Sequence, residues 1–127
     1  MSEAVDTNRP DVLVVDDDPV NREIFRWALE PLCNLSERPN GVGVAEYICE
    51  ARPAIVFLDL MMPIVDGAEV IDGVRALCPQ MVSRIVLVTA ATEHPKAVAI
   101  SQAGDIPVHV RPFEDEKIVG LLQTYIQ

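Results

Sequence analysis

The sequence predicts a single α/β domain whose parallel sheet is covered by helices, and three observations lead there. Apolar runs rich in β-branched residues recur along the chain: Val-Leu-Val-Val at 12–15, Ile-Val-Phe-Leu at 55–58 and Ile-Val-Leu-Val at 85–88. None alternates polar with apolar, so each needs burial on both faces, the condition of a parallel strand between helical layers. Segments with helical spacing fill the intervals through short connections, as βαβ units with right-handed crossovers require.

The elements follow in order. Residues 1–10 are polar and read as a flexible N-terminal tail, with the domain proper at 11–127. The first strand ends in Asp16-Asp17-Asp18. Asp18 and Pro19 then form a cap and first-turn proline for a helix that presents Val20, Ile24, Trp27 and Ala28 on one face, so Trp27 is expected to pack. Residues 34–38 are the candidate for a further strand, and residues 42–51 form a helix with Val44, Ala45, Ile48 and Cys49 inward. The run at 55–58 ends in Asp59. Asp66-Gly67 is a turn and helix entry, and that helix runs from 67 to 77, stopped near Pro79. The run at 85–88 ends in Thr89, a helix at 95–103 is closed by Gly104, and a short strand at 108–110 ends in Arg111-Pro112. The last helix spans 113–126 with Ile118, Leu121, Leu122 and Tyr125 as its buried stripe.

Composition narrows the function classes. With 127 residues, 50% hydrophobic and 5% aromatic, the chain suits one continuous and mostly aliphatic core. It has no apolar run of membrane-spanning length and no signal-peptide pattern at the N-terminus, so the expected location is cytoplasmic, with no membrane partner. Cys33, Cys49 and Cys78 are odd in number and widely spaced, fit neither a disulfide frame nor a zinc site, and are expected to be reduced. The net charge of −10, from 20 acids and 10 bases, repels nucleic acid and anionic lipid.

Ligands of open α/β sheets sit beyond the carboxyl ends of the strands. An acidic cluster, an aspartate, a hydroxyl and a cation all fall at those ends here. An aspartate after a strand is often only a cap or turn former; four such endings on one edge make a site. Asp16, Asp17 and Asp59 would repel one another and raise at least one pKa unless a cation intervened, and hard oxygen donors suit Mg²⁺, with Mn²⁺ as the alternative. A free oxygen of Asp59 can then act as a carboxylate nucleophile toward phosphorus, Thr89 can donate to a phosphoryl oxygen, and Arg111 can pair with the remaining charge.

These residues carry a family resemblance over 11–126. Val12-Leu13-Val14-Val15-Asp16-Asp17-Asp18-Pro19 resembles the first strand and acid pair of the receiver domains of bacterial two-component response regulators. Asp59-Leu60-Met61-Met62-Pro63-Ile64-Val65-Asp66-Gly67 resembles their phosphoacceptor loop, Thr89-Ala90 their hydroxyl step, and Arg111-Pro112-Phe113 their Lys-Pro-Phe. The resemblance implies a doubly wound, flavodoxin-like (CheY-like) fold with a five-stranded parallel sheet in the order 2-1-3-4-5 and five helices. It implies phosphorylation of Asp59 by a histidine kinase or histidine phosphotransfer protein. Mg²⁺ would be held by Asp17, Asp59 and the backbone carbonyl of Met61, with Asp16 acting through water. The response would reach a protein target or a second copy through the face formed by the fourth helix, fifth strand and fifth helix.

Two positions depart from the family pattern. Arg111 replaces a lysine, a planar fork in place of a point charge, and Val108 stands where the family often has Tyr or Phe. Arg111 supports one alternative, a pseudo-receiver that binds partners without phosphorylation. A second alternative is a haloacid-dehalogenase-type phosphatase with Asp16 as nucleophile, Asp18 as acid and Thr89 as second motif. That family also needs a lysine and a later acid pair, and Asp115 and Glu116 fall on the last predicted helix. His94, His109, Lys96 and Lys117 read as exposed or satisfied side chains, and Met61 and Met62 as loop packing or site border.

Overall fold

The structure, a computed structural model, describes residues 8–111 and 113–126. Residues 1–7 of the expected tail and Pro112 lie outside the described residues. Five parallel strands, β1 (Asp11–Val15), β2 (Asn34–Arg38), β3 (Ile55–Leu58), β4 (Ile85–Thr89) and β5 (Val108–Val110), form one sheet in the order β2-β1-β3-β4-β5. Five α-helices cross between them: α1 (Pro19–Leu29), α2 (Val44–Ala51), α3 (Gly67–Leu77), α4 (Pro95–Ala103) and α5 (Asp115–Tyr125). A short 3₁₀ turn at Pro79–Arg84 follows α3.

Burial on both faces explains the continuous apolar strands. Leu13 and Val15 of β1, Val56 and Leu58 of β3, and Ile85 and Leu87 of β4 point into a layer with Val44, Ala45 and Ile48 of α2 and Val70, Ile71 and Val74 of α3. Their neighbours Val12, Val14, Ile55, Phe57, Val86 and Val88 point the other way, into a layer with Phe25, Ala28 and Leu29 of α1 and Ile118 and Leu122 of α5. The period-2 alternation of Cβ directions sends successive strand residues into opposite cores. Phe57 sits where α1 and α5 meet the sheet, its ring centroid 4.9 Å from Phe25 and 6.5 Å from Phe113.

Local chemistry sets the helix ends. Asp18 accepts from the Val20 N–H at 2.9 Å, with Pro19 in the first turn of α1. Asp66 caps α3 through a reciprocal capping box with Glu69, and Gly104 ends α4 at φ 83°.

Three expectations are corrected. Helix α1 is turned away from its expected phase: Trp27 and Val20 are 75% and 61% exposed, while Phe25, Ala28 and Leu29 face the core. The Trp27 indole N–H donates to Glu23 of the same helix at 3.4 Å. Helix α2 starts at Val44, two residues late, because Gly43 takes a left-handed φ of 71° as its cap and leaves Val42 exposed. Helix α5 starts at Asp115, and of its expected stripe Ile118 and Leu122 are buried while Leu121 and Tyr125 are half-buried.

The cysteines also differ from expectation. Cys49 and Cys78 are joined as a disulfide between α2 and the end of α3, and Cys33 alone is free. Spacing along the chain did not reveal this, because α2 and α3 are adjacent only once packed.

Phe57→Ala should lower the unfolding free energy by about 3–5 kcal/mol, whereas Trp27→Ala should change it by less than about 0.5 kcal/mol. Urea titrations followed by far-ultraviolet circular dichroism measure both; similar losses would contradict the phase of α1.

Candidate functional site

The strand order places β1 and β3 side by side, with Val15 opposite Leu58, so the residues that follow them emerge together. The Asp59 N–H donates to the Val15 carbonyl at 2.9 Å, and the Asp16 N–H donates to the Arg38 carbonyl at 3.1 Å. These bonds extend the ladder one step and fix both carboxylates at the sheet edge. Both side chains are buried, while Asp17 is exposed beside them. One carboxylate oxygen from each of Asp16, Asp17 and Asp59 lies within 4.8 Å of the other two.

Partners are unequally shared. Asp16 Oδ1 accepts from the Asp18 N–H at 2.9 Å, and Asp16 Oδ2 accepts from Arg111 Nη1 at 2.8 Å. Asp59 has no hydrogen bond to either carboxylate oxygen among the described residues; its nearest cation is Arg111 Nη2 at 3.5 Å. Burial, then the Asp16 charge, push the Asp59 carboxyl up to about 7, against the pull of Arg111. Burial likewise raises Asp16, opposed by its bond from Asp18 and by Arg111.

The remaining residues complete the edge. Thr89, buried at the end of β4, accepts the Ala91 N–H on Oγ1 at 3.0 Å, and its carbonyl accepts the Arg111 N–H at 3.0 Å. Met61 is 47% exposed, and its carbonyl takes no hydrogen bond among the described residues. Ile64 in the same loop has φ 70°, a left-handed conformation that costs a β-branched residue about 1–2 kcal/mol. Gly67 closes the loop: its N–H donates to Leu60 O at 2.8 Å, and a Cβ there would lie 2.4 Å from the Asp59 carbonyl oxygen. Two surface grooves, one beside Trp27 and Pro31 and one beside Arg9 and Arg84, lie away from Asp16, Asp17 and Asp59.

Sequence reasoning missed Arg22. Its guanidinium donates to the Asp16 carbonyl at 2.7 Å and pairs with Glu37 at 3.4 Å, so it braces the turn that presents the acids. A basic residue in the first helical turn after an acid cluster was the available signal. Lys96, read as a surface charge, pairs with Asp66 at 2.6 Å, and His94 caps α4 through Nδ1. His109 lies 5.3 Å from the Phe113 ring, and its burial lowers its pKa.

A model of the response regulator receiver domain matches residues 12–123. The chain belongs to the response regulator receiver family. This receiver is 36% identical over 107 residues to a protein-glutamate methylesterase/protein-glutamine glutaminase of Hahella chejuensis, a match covering 80% of the chain and 30% of that protein. It is 33% identical to the transcriptional regulatory protein ResD of Bacillus subtilis, across 89% of the chain and 46% of ResD. The receiver thus spans less than half the length of these two curated relatives. Its fold matches the receiver domain of a sensor histidine kinase from Pseudomonas aeruginosa, solved with a magnesium ion in its active-site cleft, at TM-score 0.80 and 22% identity over 93% of the chain and 98% of that domain. Among the described residues no helix is long and apolar enough to cross a membrane. The phosphatase alternative loses its acid, because Asp18 is an exposed helix cap, and Asp115 and Glu116 open α5.

The Asp59 shift has a sign. Its folded pKa, about 7, lies above its ordinary value of 3.8, so the folded state keeps a proton that the unfolded chain has released. That contribution is complete below about pH 4 and is lost as pH rises to about 7, on the order of a few kcal/mol. Urea midpoints in chelator-treated buffer should therefore fall across that window, and Asp59→Asn should flatten the fall; parallel pH profiles for the two proteins would contradict the shift.

Proposed function

We propose that this receiver is a phosphorylation switch whose acceptor is Asp59, a unit comprising residues 11–127 with residues 1–10 as its tail. The observation that carries this reading is a buried carboxylate whose two oxygens accept no hydrogen bond among the described residues, next to two further acids and 3.5 Å from a cation. Buried polar atoms in folded proteins are rarely left without partners, and those that are often belong to chemistry.

The donor set fits a divalent cation: three carboxylates offer hard oxygens close together, and the Met61 carbonyl takes no hydrogen bond among the described residues. Asp17, Asp59 and the Met61 carbonyl would hold Mg²⁺, or Mn²⁺, with Asp16 behind them. The magnesium ion in the active-site cleft of the Pseudomonas receiver domain is in keeping with a divalent cation at this edge. Such an ion supplies charge neutralisation between the acids and an incoming phosphoryl group.

The chain's own residues supply the rest. An Asp59 oxygen forms the bond to phosphorus as the donor's phosphorus–nitrogen bond breaks, leaving an aspartyl phosphate and a free imidazole on a histidine kinase or histidine phosphotransfer protein. Thr89 already accepts from Ala91, so its hydroxyl hydrogen is free to donate to a phosphoryl oxygen. Arg111 need only swing from Asp16 toward the nearby Asp59 to pair with the new charge.

The added charge would shift an existing equilibrium on the α4, β5 and α5 face, toward a protein target or a second copy. That face suits a moving role: α4 buries only Ala97, and Val98 and Val110 are exposed. With −10 net charge the receiver itself would not contact nucleic acid. It would act in the cytoplasm as a switch and not as a turnover enzyme, released by hydrolysis of the acyl phosphate.

Incubation with a small-molecule phosphodonor, with and without Mg²⁺, followed by intact-mass analysis, tests the reading. The expected result is a metal-dependent gain of one phosphoryl group that Asp59→Asn abolishes. No gain in the wild type, with a gain restored by Arg111→Lys, would assign a pseudo-receiver blocked by its arginine; no gain in either would sink the proposal.

A further inference from the structure

The Cys49–Cys78 pair lies at the margin of the α2–α3 core layer, with Cys78 buried in it and Cys49 packed against it, and has no part in the carboxylate site. Cys49 lies in the last turn of α2 and Cys78 is the C-cap of α3, with their Cα atoms 5.7 Å apart. The helices can approach this closely because position 73 is glycine: a Cβ there would lie 2.8 Å from the Ala45 Cβ. Cys33 is buried in the opposite core layer, and burial pushes its thiol up to about 11, so it is protonated and a poor exchange partner. Cys78 is buried and Cys49 half-buried, so a reagent reaches the pair through Cys49.

Helix α3 connects this pair to the rest of the molecule. Its first residue, Gly67, is bonded to Leu60 and packed against the Asp59 carbonyl. Its cap Asp66 pairs with Lys96 in the first turn of α4 at 2.6 Å, and its Arg75 pairs with Asp105, just past α4, at 2.6 Å. One helix therefore joins the cysteine pair, the acceptor loop and both ends of α4.

We propose that Cys49 and Cys78 are a reversible redox site, oxidised by small-molecule disulfides of the glutathione class, whose closure clamps α3 to α2. The Cys49 thiolate attacks one sulfur of the small disulfide and releases one thiolate. The Cys78 thiolate then attacks the Cys49 sulfur of the mixed disulfide and releases the second. The protein loses two hydrogens in total, and the small disulfide is reduced to two thiols. In a reducing compartment the pair rests open and closes when the thiol pool becomes oxidised.

The test equilibrates the full chain across ratios of oxidised to reduced glutathione. Disulfide mapping by mass spectrometry, thermal melting and amide hydrogen exchange are then read on the same samples. Expected are one internal Cys49–Cys78 link reversed by reductant, a melting temperature higher by on the order of 5–10 °C, and slower exchange along α3 and the turn at 79–84. Cys49→Ser and Cys78→Ala should abolish all three changes and Cys33→Ser should keep them; Cys49→Ser, on the less buried side, decides if Cys78→Ala does not fold. A stable glutathione adduct on Cys49, a link that includes Cys33, or a link that leaves melting and exchange unchanged would each overturn the proposal. No readout uses phosphorylation of Asp59, so failure of that reaction leaves this result independent.

Discussion

At the carboxyl edge of the sheet, negative charge outruns the positive charge available to balance it. Asp16 and Asp59 are both buried, Asp17 stands beside them, and Arg111 is the cation that reaches them. The backbone creates this arrangement: β1 and β3 are neighbours in register, and each aspartate is held by one more ladder bond after its strand ends. Separating the acids would require breaking the sheet, so the repulsion is built into the fold. A proton, a cation or an altered charge at Asp59 can each relieve it, and that makes the edge responsive.

The apolar layers keep the edge stiff. Strand residues pack into both cores, with Phe57 between α1 and α5 and with Ile71 and Val74 holding α3 to the other face. Helix α4 contributes less to these layers than α3 does. Ile64 takes a left-handed backbone conformation in the loop between β3 and α3, and α4 buries only Ala97, with Lys96 in its first turn paired to Asp66 and Asp105 just past its end paired to Arg75. A packed, charged edge beside a sparsely buried helix suits the switch proposed above.

Much of this was legible in the sequence, for identifiable reasons. The buried strands announced themselves as unbroken apolar runs, and α3 and α4 were bounded by residues with strong backbone preferences: Asp66 and Pro79 for one, Pro95 and Gly104 for the other. The acids and Arg111 follow strands directly and Thr89 ends β4, so their convergence followed from the topology. The phase of α1 did not. Val20, Ile24, Trp27 and Ala28 form one plausible stripe, while Phe25, Ala28 and Leu29 form another; Phe57 and Phe113 across the interface decide for the second. Nor could spacing disclose a disulfide between residues 29 apart on two different helices. The choice of Asp16 over Asp59 as the hydrogen-bonding partner of Arg111 depends on side-chain reach, which sequence does not encode directly.

The most direct test of the charge imbalance is the ionisation of Asp59 itself, followed by the carbon-13 shift of its carboxyl group in labelled protein across pH, first without and then with Mg²⁺. The account predicts a titration near pH 7 without metal, in keeping with its burial beside Asp16, and a marked fall when Mg²⁺ binds. Titration near the ordinary carboxylate range in metal-free protein, or a midpoint that Mg²⁺ leaves in place, would contradict it.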